Sequence, residues 1–189
     1  MKILFIILFG VLTSLSIKSQ SVYTLDYELS KILVKGTSSL HDWESNVEKM
    51  EGDLLTKIDT QNKFIGIEDL TLVVDVESIK SGKGIMDSKT YSALEAKKHP
   101  KIFFRFSELA ELTQDSVYIN GFLTIAGKEL EVDIAGSYQI FEDLSIKIIG
   151  VKKLLMTDYD IKPPKAMLGT LKTGDEVEIV FDVIFKTNQ

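Results

Sequence analysis

The chain has 189 residues, 44% of them hydrophobic and 26% charged, with no cysteine, three prolines and a formal net charge of −6. That length supports one domain with a real core, and the composition excludes a disordered or collagen-like chain. Without cysteine there is no disulfide framework and no thiol-linked lipid anchor, and an acidic chain lacking a basic stripe is no nucleic-acid binder.

Met1-Lys2 is followed by the apolar run from Ile3 to Leu12 and by the small and polar residues Thr13 to Ser16. A positive start, a short apolar run and a small-residue exit are the pattern of a secretory signal peptide. Residues 1–20 are therefore expected to be removed, with cleavage between about 16 and 20. The run is too short to span a bilayer, which takes about 20 apolar residues. Loss of Lys2 and Lys18 leaves 20 Lys and Arg against 28 Asp and Glu, a mature charge of −8. The expected protein is a single domain, residues 21–189, exported to the periplasm or the medium.

From Val22 onward apolar residues recur with period two, the mark of strands with one dry face. Leu70, Leu72, Val74 and Val76 form one such row, and Val117, Ile119, Gly121, Leu123 and Ile125 another. Leu130, Val132 and Ile134 alternate with Glu129, Glu131 and Asp133. Val177, Ile179, Phe181, Val183 and Phe185 make the last row, with Val180 and Ile184 leaving its outer face partly apolar. Turn signals at residues 28–31, 59–63, 113–116, 126–128, 141–143 and 172–175 divide eight or more strands, and such short links favour antiparallel neighbours.

Two segments break the alternation. After Ser81-Gly82-Lys83-Gly84, residues 87–98 read as a helix, with Asp87 as N-cap, Lys97 and Lys98 at the C-terminal end, and Pro100 as the stop. Residues 156–169, containing Pro163-Pro164, form a long irregular loop of the kind that covers something. Many antiparallel strands in one domain close into a sandwich or barrel to remove free edges. An eight-stranded barrel holds side chains or one small ligand, and strands of about 8–10 residues give it a lumen on the order of 30 Å long.

Three stretches together resemble the YceI-like family: Lys35-Gly36-Thr37-Ser38-Ser39-Leu40-His41-Asp42-Trp43 with Met50-Glu51-Gly52-Asp53; residues 72–79 through Met86-Asp87 into Lys98-His99-Pro100-Lys101-Ile102-Phe103-Phe104; and residues 121–128 with Lys172-Thr173-Gly174-Asp175-Glu176-Val177. The resemblance implies an all-β fold with one short helix, an antiparallel eight-stranded, lipocalin-like barrel with an elongated apolar lumen. It implies a long-chain isoprenoid or similar amphiphile as the hydrophobic ligand and no settled enzyme activity; the expected protein is a non-enzymatic binder that requires no cofactor and holds a polyisoprenoid or quinone-type lipid.

Given an open lumen, the alternation assigns its wall to Leu72, Val74, Val76, Phe104, Phe106, Val117, Ile119, Leu123, Val132, Ile134, Ile179, Phe181 and Val183. Tyr91, Tyr159, Lys162 and Lys165, on the helix and the Pro-Pro loop, are the candidates for holding a polar head at the mouth. His41, Asp42 and the serines around them invite a hydrolase reading. On a strand, however, neighbours face opposite ways, so Asp42 cannot orient the His41 ring, and no Gly-x-Ser-x-Gly elbow exists. Two histidines without cysteine give no metal site. If alternation ran unbroken from Ile32 and Val34, Trp43 would face out; a bulge or turn at residues 36–39 flips it inward, where with His41 it plugs one barrel end. Two other readings remain: a filled barrel that dimerises or binds a partner by its surface, and an enzyme acting on a lipid in the lumen.

Overall fold

The computed structural model describes residues 19–59, 63–166 and 171–187. Residues 1–18 of the expected signal peptide, the tip of the expected turn at 60–62 and residues 167–170 of the expected Pro-Pro loop lie outside the described residues. Twelve strand segments are described: β1 (Ser19–Leu25), β2 (Lys31–Ser38), β3 (Trp43–Val47), β4 (Met50–Ile58), β5 (Phe64–Asp75), β6 (Ile79–Lys80), β7 (Lys101–Leu112), β8 (Ser116–Ile125), β9 (Lys128–Ile140), β10 (Ile146–Leu155), β11 (Lys165–Ala166) and β12 (Leu171–Thr187). One α-helix, α1 (Gly84–Ala93), separates β6 from β7.

All pairings are antiparallel and half of them join successive strands. β1 and β2 lie end to end along β12, on Phe185–Thr187 and on Thr173–Asp182 respectively, so they form one stave interrupted at residues 26–30. The interruption is held by Asp26 Oδ1, which accepts from the amides of Glu28 and Leu29, both at 3.1 Å. β3 with β4 and β5 with β6 are broken staves of the same kind, the second interrupted by a 3-10 turn at Val76–Ser78. With β7, β8, β9, β10 and β12 they make eight staves, and the β12–β1 pairing closes the barrel.

Alternation does the sorting. In β8 Val117, Ile119, Leu123 and Ile125 are buried while Tyr118 is exposed; in β9 Glu129, Glu131 and Asp133 are exposed between half-buried Leu130, Val132 and Ile134. Curvature comes from inward glycines, each covered by an aromatic ring from a neighbouring strand: Trp43 over Gly36, Phe104 over Gly121 and Phe181 over Gly150. A Cβ at any of the three would run into that ring, so the close approach requires glycine.

Several expectations need correction. The helix begins at Gly84, three residues before Asp87, and ends at Ala93. Asp87 is not its N-cap; its carboxylate instead accepts from the Ser81 amide (2.8 Å) and hydroxyl (2.6 Å), tying the preceding turn to the first helical turn. Those bonds hold the Asp87 carboxyl below the usual range. Residues 172–175 are not a turn but part of β12, where the four steps from Thr173 to Val177 answer two on β2, from Ser38 to Gly36. The glycine-containing signal there is a bulge, which uses the same residue types as a turn.

Trp43 does come round to the inner face, by a different break from the one expected. β2 runs on through Ser38, and the chain turns at residues 39–42. Trp43 then pairs opposite Gly36, on the side shared with buried Ser45 and Val47. The reason is capping by Ser38: its hydroxyl accepts from the amides of Leu40 (3.3 Å) and His41 (3.2 Å) and donates to the His41 carbonyl (2.7 Å), closing the hairpin.

Candidate functional site

A cavity of about 630 Å³ occupies one end of the barrel. Its wall is built by Val34, Trp43 and Ser45 from the first hairpin, by Ile79 and Ile102, and by the buried or half-buried face of α1 through Met86, Ala93 and Leu94. Met156, Ile161 and Pro164 of the irregular segment cover the other side. A second chamber of about 150 Å³ lies deeper, with an entirely aliphatic, aromatic and glycine lining apart from the stem of Lys152. Val34, Ile79, Ile102 and Ile179 border both chambers and form the neck between them.

Beyond the deep chamber the barrel is filled. Tyr23, Leu54, Thr56, Ile146 and Phe185 are among the most completely buried side chains, and the Phe64 and Tyr138 rings meet edge to face at 5.1 Å. The open end is therefore the one carrying α1, the β2–β3 hairpin and the Pro-Pro segment.

Of the thirteen expected wall residues, Leu72, Val74, Phe104, Val117, Ile119 and Leu123 border the deep chamber, as do Ile134, Ile179, Phe181 and Val183. Val76, Phe106 and Val132 border neither chamber. Val76 belongs to the 3-10 turn, where alternation stops, and the pairing of β7 with β8 slips just after Phe106. Val132 packs half-buried against the core. Sequence reasoning missed Ile102, Ile125 and Ile32, yet each sits two positions from an assigned or discussed apolar residue in the same row; continuing the alternation finds them. It also missed the contribution of α1, because the helix carries no strongly apolar stripe that would mark a buried face.

The expected head-group residues are not brought together. Lys165 borders the upper cavity, while Lys162 is exposed and does not. The Tyr91 hydroxyl lies 2.9 Å from the Glu77 carbonyl and 3.2 Å from that of Ile79, to which it donates, and it accepts from Lys80 Nζ at 2.7 Å. Tyr91 thus fastens α1 to the β5–β6 stave instead of facing the cavity. Tyr159 is buried beneath the 3-10 turn Met156–Tyr159, and burial pushes its hydroxyl up to about 12.

Trp43 and His41 both stand in the cavity wall at the open end, while the closed end is filled by other side chains. The Trp43 indole donates to the Thr37 carbonyl at 3.0 Å. His41 is exposed in the turn, not on a strand, and its Nδ1 lies 2.8 Å from the backbone carbonyl of Asp42. The Asp42 carboxylate faces a separate polar cleft on the outside, beside Glu44 and Glu176. No serine hydroxyl is hydrogen-bonded to the His41 ring among the described residues, so the cluster has the residue types of a triad without its connections. His99 packs against the Gly127 turn, away from the cavity lining.

Among the described residues the ionisable side chains that border the upper cavity are Lys83, Lys89, Lys165 and His41, and no Asp or Glu does so. Lys89 Nζ donates to the Lys165 carbonyl at 2.7 Å, linking α1 to β11 across the opening. Such a site offers an apolar enclosure with a basic rim. Its upper volume falls within the roughly 300–1,000 Å³ of small-molecule pockets.

Comparison with solved structures returns the same fold. The Burkholderia cenocepacia protein BcnA superposes with a TM-score of 0.71 at 20% identity, covering 85% of this chain and 98% of its own. A polyisoprenoid-binding domain from Saccharophagus degradans, implicated in plant cell wall breakdown, gives 0.68 at 15% identity, with coverage of 87% and 98%. The Campylobacter jejuni YCEI protein gives 0.59 at 15% identity, with coverage of 77% and 84%. A search of curated protein sequences returns no match. The YceI-like domain family matches residues 23–185, nearly the whole barrel, and the chain belongs to that family.

Proposed function

We propose that the protein is an exported, non-enzymatic carrier that encloses the chain of a long isoprenoid, or of a similar amphiphile such as a quinone-type lipid, in its barrel. The observation that carries this reading is the two-chambered cavity, apolar in its depth and polar only around its opening. An apolar chain entering it gains about 0.8 kcal/mol per methylene withdrawn from water, without directional contacts. The neighbour from Saccharophagus degradans is described as a polyisoprenoid-binding domain, which supports a lipid as the ligand here. The absence of carboxylates from the upper wall among the described residues, and a His41 ring whose contact is the Asp42 backbone carbonyl and not a serine hydroxyl or a carboxylate, favour binding over catalysis. Cavities of this size count against the filled-barrel alternative, and the pattern of residues 1–20 supports export.

Organic extraction of the natively purified protein, followed by mass spectrometry, tests the reading. A long-chain apolar lipid in near-stoichiometric amount is the expected product. Failure of the emptied protein to take up prenyl lipids, read through emission of the only tryptophan, Trp43, in the cavity wall, would sink it.

A further inference from the structure

The two most exposed large apolar side chains among the described residues are Ile85, 80% exposed, and Leu40, 69% exposed. Both stand at the cavity opening. Ile85 borders it from the first turn of α1, and Leu40 tips the β2–β3 hairpin between Ser38 and His41, which also border it. Folding gains nothing from either side chain in that position, and a pair of exposed aliphatics at one functional opening points to an interaction surface.

Among the described residues no carboxylate borders the opening itself: Asp42, near Leu40, faces the outer cleft, and Asp87, near Ile85, is bonded to Ser81. Lys83, Lys89, Lys165 and His41 ring the opening, and none of the three lysines pairs with a carboxylate among the described residues. Elsewhere on the barrel lysines such as Lys147 and Lys153 are neutralised by acidic neighbours on the adjacent strand. On the helix Ile85 and Lys89 are four residues apart and so share a face.

We propose that this end of the barrel docks on an anionic lipid bilayer, with Leu40 and Ile85 entering the acyl boundary and the lysines meeting lipid phosphates. Apolar prongs set among cations are the arrangement of interfacial membrane binders, which sink about 5–10 Å into the headgroup region. The net charge, −6 for the whole chain and −8 without residues 1–20, does not oppose this at physiological salt, where the screening length is about 8 Å and the bilayer senses the near rim rather than the far wall. Docking in this orientation brings the opening to the level of the acyl chains. A long lipid then passes between bilayer and barrel without crossing water, the step that would otherwise forfeit the free energy of enclosure.

Vesicle co-sedimentation with lipid-free protein tests the proposal, whatever ligand the barrel takes. Binding is expected to vesicles of mixed phosphatidylglycerol and phosphatidylcholine, weakening as salt is raised, with little binding to phosphatidylcholine alone. The double variants Leu40→Asp/Ile85→Asp and Lys83→Glu/Lys165→Glu are each expected to lower the partition coefficient at least about tenfold, reversing two charges or removing both prongs. Leu29→Asp, an exposed leucine in the β1–β2 interruption, serves as control and is expected to change it less than about twofold. All of these positions are exposed, and an unchanged melting curve certifies each fold. Equal binding of wild type and both double variants overturns the proposal, as does equal loss in the Leu29 control. A dimer in light scattering that Ile85→Asp dissociates also overturns it, by making the patch an interface between two copies of the chain.

Discussion

Tyr159 is 2% exposed, and its hydroxyl has no hydrogen-bond partner among the described residues. Burial favours the neutral phenol and raises its pKa to about 12, above the unfolded value of about 10. The sign follows: the stabilisation from keeping Tyr159 neutral is complete below about pH 10 and is lost as pH climbs towards 12. Tyr159→Phe is expected to raise neutral-pH stability by about 1 kcal/mol, some 2–4 °C in Tm, and to shrink the alkaline loss of Tm between pH 9 and 12. A lower Tm at pH 7 would mean the hydroxyl has a partner after all. Gly36 poses the opposite constraint, since a Cβ there overlaps the Trp43 ring. Gly36→Ala is expected to cost about 1–3 kcal/mol by overpacking and to shift Trp43 emission as the ring leaves its bond to Thr37. Unchanged emission would show that the ring yields without leaving the wall.

Among the long strands, β9 with β10 is a short seam, as is β5 with β7, paired over Thr71–Asp75 and Lys101–Arg105. The β9–β10 register covers only Ile146–Gly150 against Gly136–Ile140, whereas β8 with β9 and β10 with β12 are paired along ten positions each. Towards the open end β9 and β10 separate, and side chains span the gap. Lys152 Nζ reaches the Asp133 carboxylate at 2.9 Å and holds its pKa below the usual range, while Lys128 of β9 reaches Asp160, just past the 3-10 turn that follows β10, at 2.9 Å. The Asp133 and Asp160 side chains are largely exposed, so each pair contributes at most about 1 kcal/mol. Amide exchange is expected to be faster in residues 128–135 than in 136–140, and Lys152→Ala is expected to widen that difference with Tm lowered by no more than about 3 °C. Uniform protection along β9 would remove the seam. The helix tells a related story about local signals: its existence was legible from the pattern around Asp87, but its start was not, because Asp87 accepts from Ser81 instead of capping, a choice made by the turn it packs against.

For the molecule as a whole, the neck at Val34, Ile79, Ile102 and Ile179 divides a chamber wide enough for a head group or ring from a slender one suited to a chain. Ile102→Trp is expected to close the neck, abolishing preference for long over short prenyl chains while leaving uptake of short ones within about fivefold, since the upper chamber keeps its apolar wall. Titrating chains of graded length against Trp-independent ligand fluorescence checks this. Undiminished uptake of the longest chain would mean that the tail lies elsewhere. Lys89, bonded to the Lys165 carbonyl at 2.7 Å, ties α1 to β11 across the opening.

Period-two alternation and turn residues carried an antiparallel sandwich or barrel, the resemblance to the YceI-like family selected the barrel, and ten of the residues that line the deep chamber followed from parity, because the face on which a strand residue lies is set by its parity within the strand. Leu72, Val74 and Phe104 were legible for that reason; Val76 lies in a 3-10 turn that interrupts parity, whereas Phe106 keeps its parity and packs half-buried against the core without bordering either chamber. Only the tertiary structure decided which end is open, that Tyr91 is spent on backbone carbonyls, and that Trp43 lies over Gly36. Those outcomes depend on which residues from distant staves meet, and loop closure rather than local pattern determines such meetings.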